Sequence, residues 1–90
     1  MENNPVLLET LRLAVPMWVM KVRDLPWEVR QNRAKECAQI IAEKGDVLQF
    51  GGGKKGETGK AFNALAEGLA IASFSPGGVK FGGLHFETTA

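Results

Sequence analysis

The chain has 90 residues with 11 basic and 10 acidic side chains, a formal net charge of +1. This length suits one compact domain spanning residues 1–90, and the near balance of charge excludes a general polyanion binder. The single cysteine, Cys37, excludes an internal disulfide and indicates a reducing compartment. The N-terminus MENNP lacks the features of a secretion signal, and no apolar run is long enough to cross a bilayer. We therefore expect a cytoplasmic protein with no membrane partner.

Residues 5–15 predict a first helix. Pro5 suits the first helical turn, where a missing N–H costs nothing. Pro16 is expected to end or kink this helix. The apolar run Met17–Val22 is too short for its periodicity to distinguish a helix from a strand, and a helical turn is the preferred interpretation. The apolar residues that share one side of the first helix are Leu7, Leu8, Leu11 and Ala14.

The sequence around Asp24 has the pattern of a helix start, with Asp24 as the N-cap and Pro26 in the first turn. This second helix is expected to run to Lys44 and to stop at Gly45, which can take the left-handed conformation of a C-cap. Its predicted inner stripe is Trp27, Ala34, Cys37, Ala38 and Ile41, helped by Val29 and Ile40. Its predicted outer face is Arg30, Arg33, Lys35, Glu36, Gln39 and Glu43.

The charges of the second helix run against its dipole. Arg30 and Arg33 lie in the N-terminal half, and Glu43 lies in the last turn. Each of these charges is expected to destabilise the helix by about 0.3 kcal/mol. This arrangement suggests that the two arginines serve another purpose, and a tolerated surface arrangement is the alternative.

The stretch from 46 to 74 organises the chain, because a short run VLQF and a glycine loop lead into a helix that is apolar nearly all round. A helix of this kind is usually buried on several sides, so residues 58–74 are predicted to be the centre of the molecule. Its polar residues in the first two turns, Lys60, Asn63 and Glu67, form one narrow stripe. Its small residues Ala61, Ala64 and Gly68 would let another helix approach closely. The helix is expected to end at Ser75-Pro76-Gly77-Gly78.

The tail contains two alternating triplets, VKF and LHF, around Gly82-Gly83. This pattern suits a tight hairpin, and a single bent strand that pairs with VLQF is the alternative. We therefore predict an α+β, mainly helical domain. In it, two or three helices surround a central buried helix at about 58–74, with a small β-hairpin or short strands at about 47–50 and 79–86.

The glycine loop has some features of a nucleotide site. The three glycines Gly51, Gly53 and Gly56 formally fit the dinucleotide fingerprint between a possible strand and a helix. The chain lacks strands for a parallel sheet, however, and it has no acidic residue about 20 positions further on to bind a ribose. A P-loop is excluded, because Lys54 and Ala61 stand where that motif requires a glycine and a serine or threonine.

A simpler anion site at the loop is compatible with the sequence. Lys54, Lys55 and Lys60 surround a helix N-terminus, whose N–H groups favour phosphate or an acidic protein surface. Arg30 and Arg33 are candidates for the same anion or partner site. The alternative is that the lysines only keep the loop solvated.

Catalytic and metal-binding constellations are not found. One histidine, one cysteine and scattered carboxylates do not supply a zinc set, and Cys37 on a buried helical stripe is expected to be inert. We expect no enzyme activity, metal or cofactor. The segment MWVMKVRDLPW is the best candidate for a partner surface, with Trp18, Lys21 and Arg23 as its contact residues. The alternative is that Trp27 staples the second helix and Trp18 fills the core.

Gly45–Phe86 contains GDVLQFGG followed by FNALAEGLAIASFSPGGVKFGGLHF. This stretch, about half of the chain, resembles short proteins of actinobacteria and their phages. Those proteins contain the similar sequence motifs G-D-x-L, F-x-x-L-A-x-G-L-A and P-G-G-V-x-F-x-G-L-H. The resemblance implies a phage or mobile-element gene and no particular activity. Small phage proteins without catalytic residues often bind a host enzyme or a defence complex, which is an argument by analogy.

These observations favour a small non-enzymatic protein that binds a macromolecular protein partner, as a phage or mobile-element modulator of a host machine. A nucleic-acid-binding protein that uses the glycine and lysine loop is one alternative, and a nucleotide-binding domain is another. The oligomeric state is left open.

Overall fold

The structure, a computed structural model, describes residues 5–50, 56–74, 79–81 and 84–86. The elements in chain order are α1 (Pro5–Val22), α2 (Trp27–Lys44), α3 (Val47–Phe50), α4 (Glu57–Ala72), β1 (Val79–Phe81) and β2 (Leu84–Phe86). Within this part of the chain, α1 and α2 both pack against α4, and the short α3 contacts it as well. The described core is thus three long helices with α4 at its centre.

The predicted α+β class is wrong, because the described core is built from helices alone. Val47–Phe50, predicted as a strand, forms one helical turn, and Leu48 in that turn is 5% exposed. A run of four residues with three apolar side chains does not distinguish the two conformations, and packing against α4 decides between them. β1 and β2 pair antiparallel with Val79 opposite Phe86. Three residues per strand make a short ribbon and not a sheet layer that could bury helices.

α4 supplies the centre of the core. Leu65 and Leu69, one turn apart, are 0% and 2% exposed. They lie in a single buried cluster with residues of α1 that recur every three or four positions. Helix α1 therefore packs against α4 along one face. The residues of α1 that are buried there are Leu7, Leu11, Val15 and Val22.

Helix α1 continues through Pro16, so of the two outcomes predicted for this residue, an end or a kink, the end is wrong. Met17–Val22 is the last part of α1 and is helical, as preferred from the sequence. Proline has no N–H, so the carbonyl of Arg12 loses the donor that residue 16 would normally provide. Pro16 is exposed, and Val15 and Val22 on either side are buried against the core. Tertiary packing thus holds the helix together across the proline.

The predicted N-cap of α2 is wrong, whereas Gly45 is the C-cap as predicted but is not left-handed. The N-cap residue is Pro26, without a side-chain capping bond, and Asp24 lies outside the helix. Gly45 follows α2 with φ −64° and ψ −25°, which is right-handed. Glycine is required here for lack of space, because a Cβ atom would lie 2.5 Å from the carbonyl oxygen of Ile41.

The predicted faces of α2 are correct only in part. The inner stripe is confirmed at Ala34, Cys37 and Ile41, but the first turn of the helix departs from it. Trp27 is 63% exposed and Val29 is 40% exposed, although both belong to the predicted inner stripe. Arg30 and Arg33, predicted for the outer face, are half-buried instead. Cys37 is the buried residue of α2. Since α2 has few large apolar residues, contacts with α4 set its rotation.

Candidate functional site

Four large apolar residues of α1 face away from the core, and we call them the α1 stripe: Val6, Leu13, Met17 and Met20. Their exposed fractions are 75%, 75%, 64% and 69%. Thr10 fills the gap between Val6 and Leu13, and its hydroxyl donates to the Val6 carbonyl at 2.8 Å. Positions 6, 10, 13, 17 and 20 repeat with the 4-3-4-3 spacing of a helix-packing seam. The stripe therefore has the form of an interface without a partner among the described residues.

The residues predicted as partner contacts are not part of this stripe. Trp18 is partly buried and packs against the core, and the Nζ atom of Lys21 lies 4.6 Å from the centroid of its ring. Arg23 Nε lies 3.9 Å from the carboxylate of Asp24. Trp18 thus belongs largely to the core, and Lys21 covers its ring. Sequence reasoning missed Val6 and Leu13, although the 4-3 spacing on the side opposite the buried face was a usable signal.

A groove lies between α2 and α4, and we call it the Arg30 groove. The Cζ atom of Arg30 lies 5.6 Å from the ring centroid of Trp27 and 5.0 Å from that of Phe74. These distances are typical of cation–π contacts. The groove has a volume of about 170 Å³ and includes Ala34 and Gly68 in its lining. The Nε atom of Arg30 is buried and has no hydrogen-bond partner among the described residues.

Arg33 is joined to Glu67 across the same pair of helices. Its Nε donates to Oε2 of Glu67, and the Glu67 side chain is only 9% exposed while that of Arg33 is 43% exposed. This hydrogen bond raises the pKa of Arg33. Burial, followed by the negative charge of Glu67, raises the pKa of Cys37 to about 12. Arg33 therefore serves as a cross-link inside the fold, and Cys37 is held as a thiol.

The structure separates the cations that were predicted as one anion site. Lys60 is exposed in the first turns of α4, whereas Arg30 contacts Phe74, which follows the other end of that helix. The helical rise places these ends roughly 20 Å apart. Lys54 and Lys55 lie outside the described residues. Gly56, the N-cap of α4, has φ +91°, a conformation that favours glycine.

A metal site and a membrane-spanning helix are both absent from the described residues. Within them, no three side chains of histidine, cysteine, aspartate or glutamate are grouped so that they could hold a metal ion. None of the described helices combines the length and the apolar character needed to cross a bilayer. No family model, no curated protein and no solved structure matches this chain.

Proposed function

We propose that the chain is a small non-enzymatic protein whose α1 stripe binds a protein partner. The exposure of four large apolar residues in line on one helix supports this proposal. Single apolar residues on a surface are ordinary, but a contiguous row marks an interaction site. Two of the four are methionines, which are enriched at interface cores and adapt to irregular partner surfaces.

The form of the stripe suggests the kind of partner surface. The four residues span 15 positions of α1, or roughly 20 Å along the helix axis. A helix presents such a row either to a second helix or to an apolar groove, with anchors three, four and seven positions apart. Lys21 borders one end of the row and adds a positive charge at its edge.

We further propose that the partner is a host enzyme or a defence complex, and that the protein acts in the cytoplasm. The support is the resemblance of Gly45–Phe86 to short proteins of actinobacteria and their phages, together with the single free cysteine. Nucleic-acid binding has less support, because Arg33 is paired with Glu67 and Arg30 lies far from Lys60.

The test is to place charge on the α1 stripe. We expect the double variant Met17→Glu with Met20→Glu to lose the protein partner, because two carboxylates would be desolvated in an apolar interface. The matched control is Ala38→Glu with Ala42→Glu, which adds the same charge at two exposed positions of α2 four residues apart. Tagged protein of each kind is used to capture partners from actinobacterial lysate treated with nuclease, followed by mass spectrometry.

The result that supports the proposal is one protein complex captured by the parent and by the control variant but not by the stripe variant. Binding is then measured with the purified complex. Equal thermal melts of the parent and both variants show that the fold is intact. The proposal is contradicted if the stripe variant captures the same complex as the parent. Capture that disappears with nuclease treatment would indicate nucleic acid instead.

A further inference from the structure

We propose that the Arg30 groove binds a carboxylate side chain from an acidic segment of the partner protein. This inference rests on the proposed protein-binding function, but it concerns a second surface. The groove lies between α2 and α4, whereas the α1 stripe lies on the side of α1 that faces away from α4. The two surfaces can therefore be tested separately.

The charge of Arg30 is the first observation. No described carboxylate forms an ion pair with Arg30, whereas Arg12, Arg23 and Arg33 each lie beside one. The buried Nε atom of Arg30 also has no acceptor. The guanidinium of Arg30 is partly buried, so it has lost contacts with water. No described carboxylate compensates for this loss. A carboxylate ligand would supply the missing negative charge and would accept hydrogen bonds at the Nη end of the guanidinium, since the buried Nε atom is closed to a ligand.

The arrangement of the two rings is the second observation. Trp27 and Phe74 both lie within cation–π distance of the guanidinium and restrict its orientation. A planar guanidinium that is held in place matches a carboxylate through two parallel hydrogen bonds. Because the rings already order the arginine, it loses less side-chain entropy on binding. The planar guanidinium favours a carboxylate, which has two oxygens for the two hydrogen bonds, over a monatomic anion.

The size of the groove is the third observation. Its volume of about 170 Å³ is smaller than the roughly 300–1,000 Å³ of sites for drug-sized ligands and cofactors, and it fits a single side chain. Ala34 and Gly68 keep it open between the helices. The exposed rings of Trp27 and Phe74 provide apolar walls for the methylene groups of a glutamate. Tryptophan and arginine are also the residues most enriched at the energetic centres of protein interfaces.

The experiment uses the full chain and a defined peptide. An acetylated, amidated pentapeptide Glu-Glu-Leu-Glu-Glu is titrated into ¹⁵N-labelled protein, and Gln-Gln-Leu-Gln-Gln serves as the neutral control. The chain has two tryptophans, so the indole N–H signal of Trp27 reports the Arg30 groove and that of Trp18, which packs against the core, serves as an internal reference. We expect the glutamate peptide to shift the Trp27 signal in a saturable way with a Kd near or below about 1 mM. The Trp18 signal and the glutamine peptide should show no such shift.

Substitution of Arg30 completes the test. Arg30→Gln should weaken binding of the glutamate peptide by about tenfold or more, because a charge-assisted hydrogen bond is lost. The affinity of Arg30→Lys for the glutamate peptide should lie between that of Arg30→Gln and that of the parent, since lysine keeps the charge without the planar guanidinium. The matched control is Arg23→Gln, an exposed arginine outside the groove, which should bind as the parent does.

Failure of this inference is distinguishable from failure of the proposed function. The absence of a saturable Trp27 shift in the parent protein, or equal shifts with both peptides, would overturn the carboxylate site. That result would stand whether or not the Arg30 variants fold. The α1 stripe would still be tested by its own variants, since the peptide titration needs no natural partner.

Discussion

Glu67 lies inside the contact between α2 and α4, where its carboxylate accepts a hydrogen bond from Arg33. It is 6% exposed, and its charge acts on the Cys37 thiol as well. Burial of an unpaired carboxylate costs free energy. Glu67 therefore favours the rotation of α2 that brings Arg33 inward, where the two side chains pair. One polar residue on α4 thus determines which face of the neighbouring helix is buried.

Removal of Arg33 should destabilise the fold more than removal of an exposed arginine. We expect Arg33→Ala to lower the free energy of unfolding by about 1–3 kcal/mol, because it leaves Glu67 buried without its partner. Solvent screening of a side chain that is 43% exposed keeps the effect below that of a fully buried pair. Urea unfolding followed by circular dichroism measures the difference.

The matched control for this pair lies on α1. Arg12 contacts Glu9 at 3.0 Å, and both side chains are about two-thirds exposed or more. Arg12→Ala should therefore cost less than about 1 kcal/mol. Arg33→Met combined with Glu67→Leu should restore stability to within about 1 kcal/mol of the parent, since no unpaired charge is left. Equal losses for Arg33→Ala and Arg12→Ala would show that the buried pair has no special role.

The raised pKa of Cys37 predicts a loss of stability at alkaline pH. The thiol titrates near 9.0 when unfolded and at about 12 when folded. The unfolded state therefore releases this proton first as the pH rises. Stability from the protonated thiol is fully present below pH 9 and is lost between pH 9 and about 12.

Cys37→Ala removes this contribution. Between about pH 8 and about pH 10, we expect the parent to lose more free energy of unfolding than the variant. In the same range, the native thiol should react slowly with a disulfide reagent and the urea-unfolded thiol should react fast. Parallel stability curves for the two proteins, or fast native labelling, would contradict a buried neutral thiol.

At the scale of elements, α1 has two faces with opposite roles. Its buried face holds the helix on α4 through Leu7, Leu11, Val15 and Val22. Its exposed face carries the α1 stripe, which the core does not use. Pro16 sits between the two faces and is tolerated because packing on both sides of it holds the helix.

Replacement of Pro16 by alanine should stabilise the protein. Alanine restores the donor for the Arg12 carbonyl and removes the clash of the ring, so we expect a gain of up to about 3 kcal/mol. Thermal melts and urea unfolding measure the change.

The matched control is Pro26→Ala, at the N-cap of α2, where φ −56° and ψ 149° already suit proline. That variant should gain nothing and should lose about 0.4–1 kcal/mol through the greater freedom of its unfolded chain. A loss of stability in Pro16→Ala would mean that a bend at this residue is needed for α1 to fit α4.

At the scale of the whole molecule, stability depends on α4, because α1, α2 and α3 all pack against it. Leu65→Ala should lower the free energy of unfolding by about 2–5 kcal/mol, since Leu65 is completely buried in the core cluster. This is a large share of the stability that a small domain has.

Leu13→Ala is the matched control, because it makes the same substitution at a residue that is 75% exposed. We expect a change within about 0.5 kcal/mol in unfolding, together with weaker capture of the partner proposed for the α1 stripe. If Leu65→Ala melted like the parent, the core would not be centred on α4.

Much of the helical architecture could be predicted from the sequence, and the reason is local. The residues around Leu65 are apolar at nearly every position over four turns, a pattern that only a buried helix satisfies. For VLQF, three apolar residues in a run of four are too few to show a period that would define a conformation. The strand prediction there failed because contacts with α4 decide it.

The candidate sites were harder to predict. Arg30 and Arg33 stood out in the sequence because their charges oppose the dipole of α2, but their contacts with Phe74 and Glu67 join residues more than 30 positions apart. Such pairings depend on how α2 is rotated against α4. The exposed methionines of α1 were within a predicted adhesive segment, whereas the full stripe appears only when α1 is continuous through Pro16.

The amino-acid sequence by itself determined that α4 would be helical and central, since burial of its apolar surface has no alternative in a chain of 90 residues. It also predicted that α2 ends at Lys44 before Gly45, although this glycine is right-handed in the structure. Tertiary structure alone decided the rotation of α2, the helicity of Val47–Phe50 and the passage of α1 through Pro16. In each case the local preference is weaker than the free energy of packing against α4.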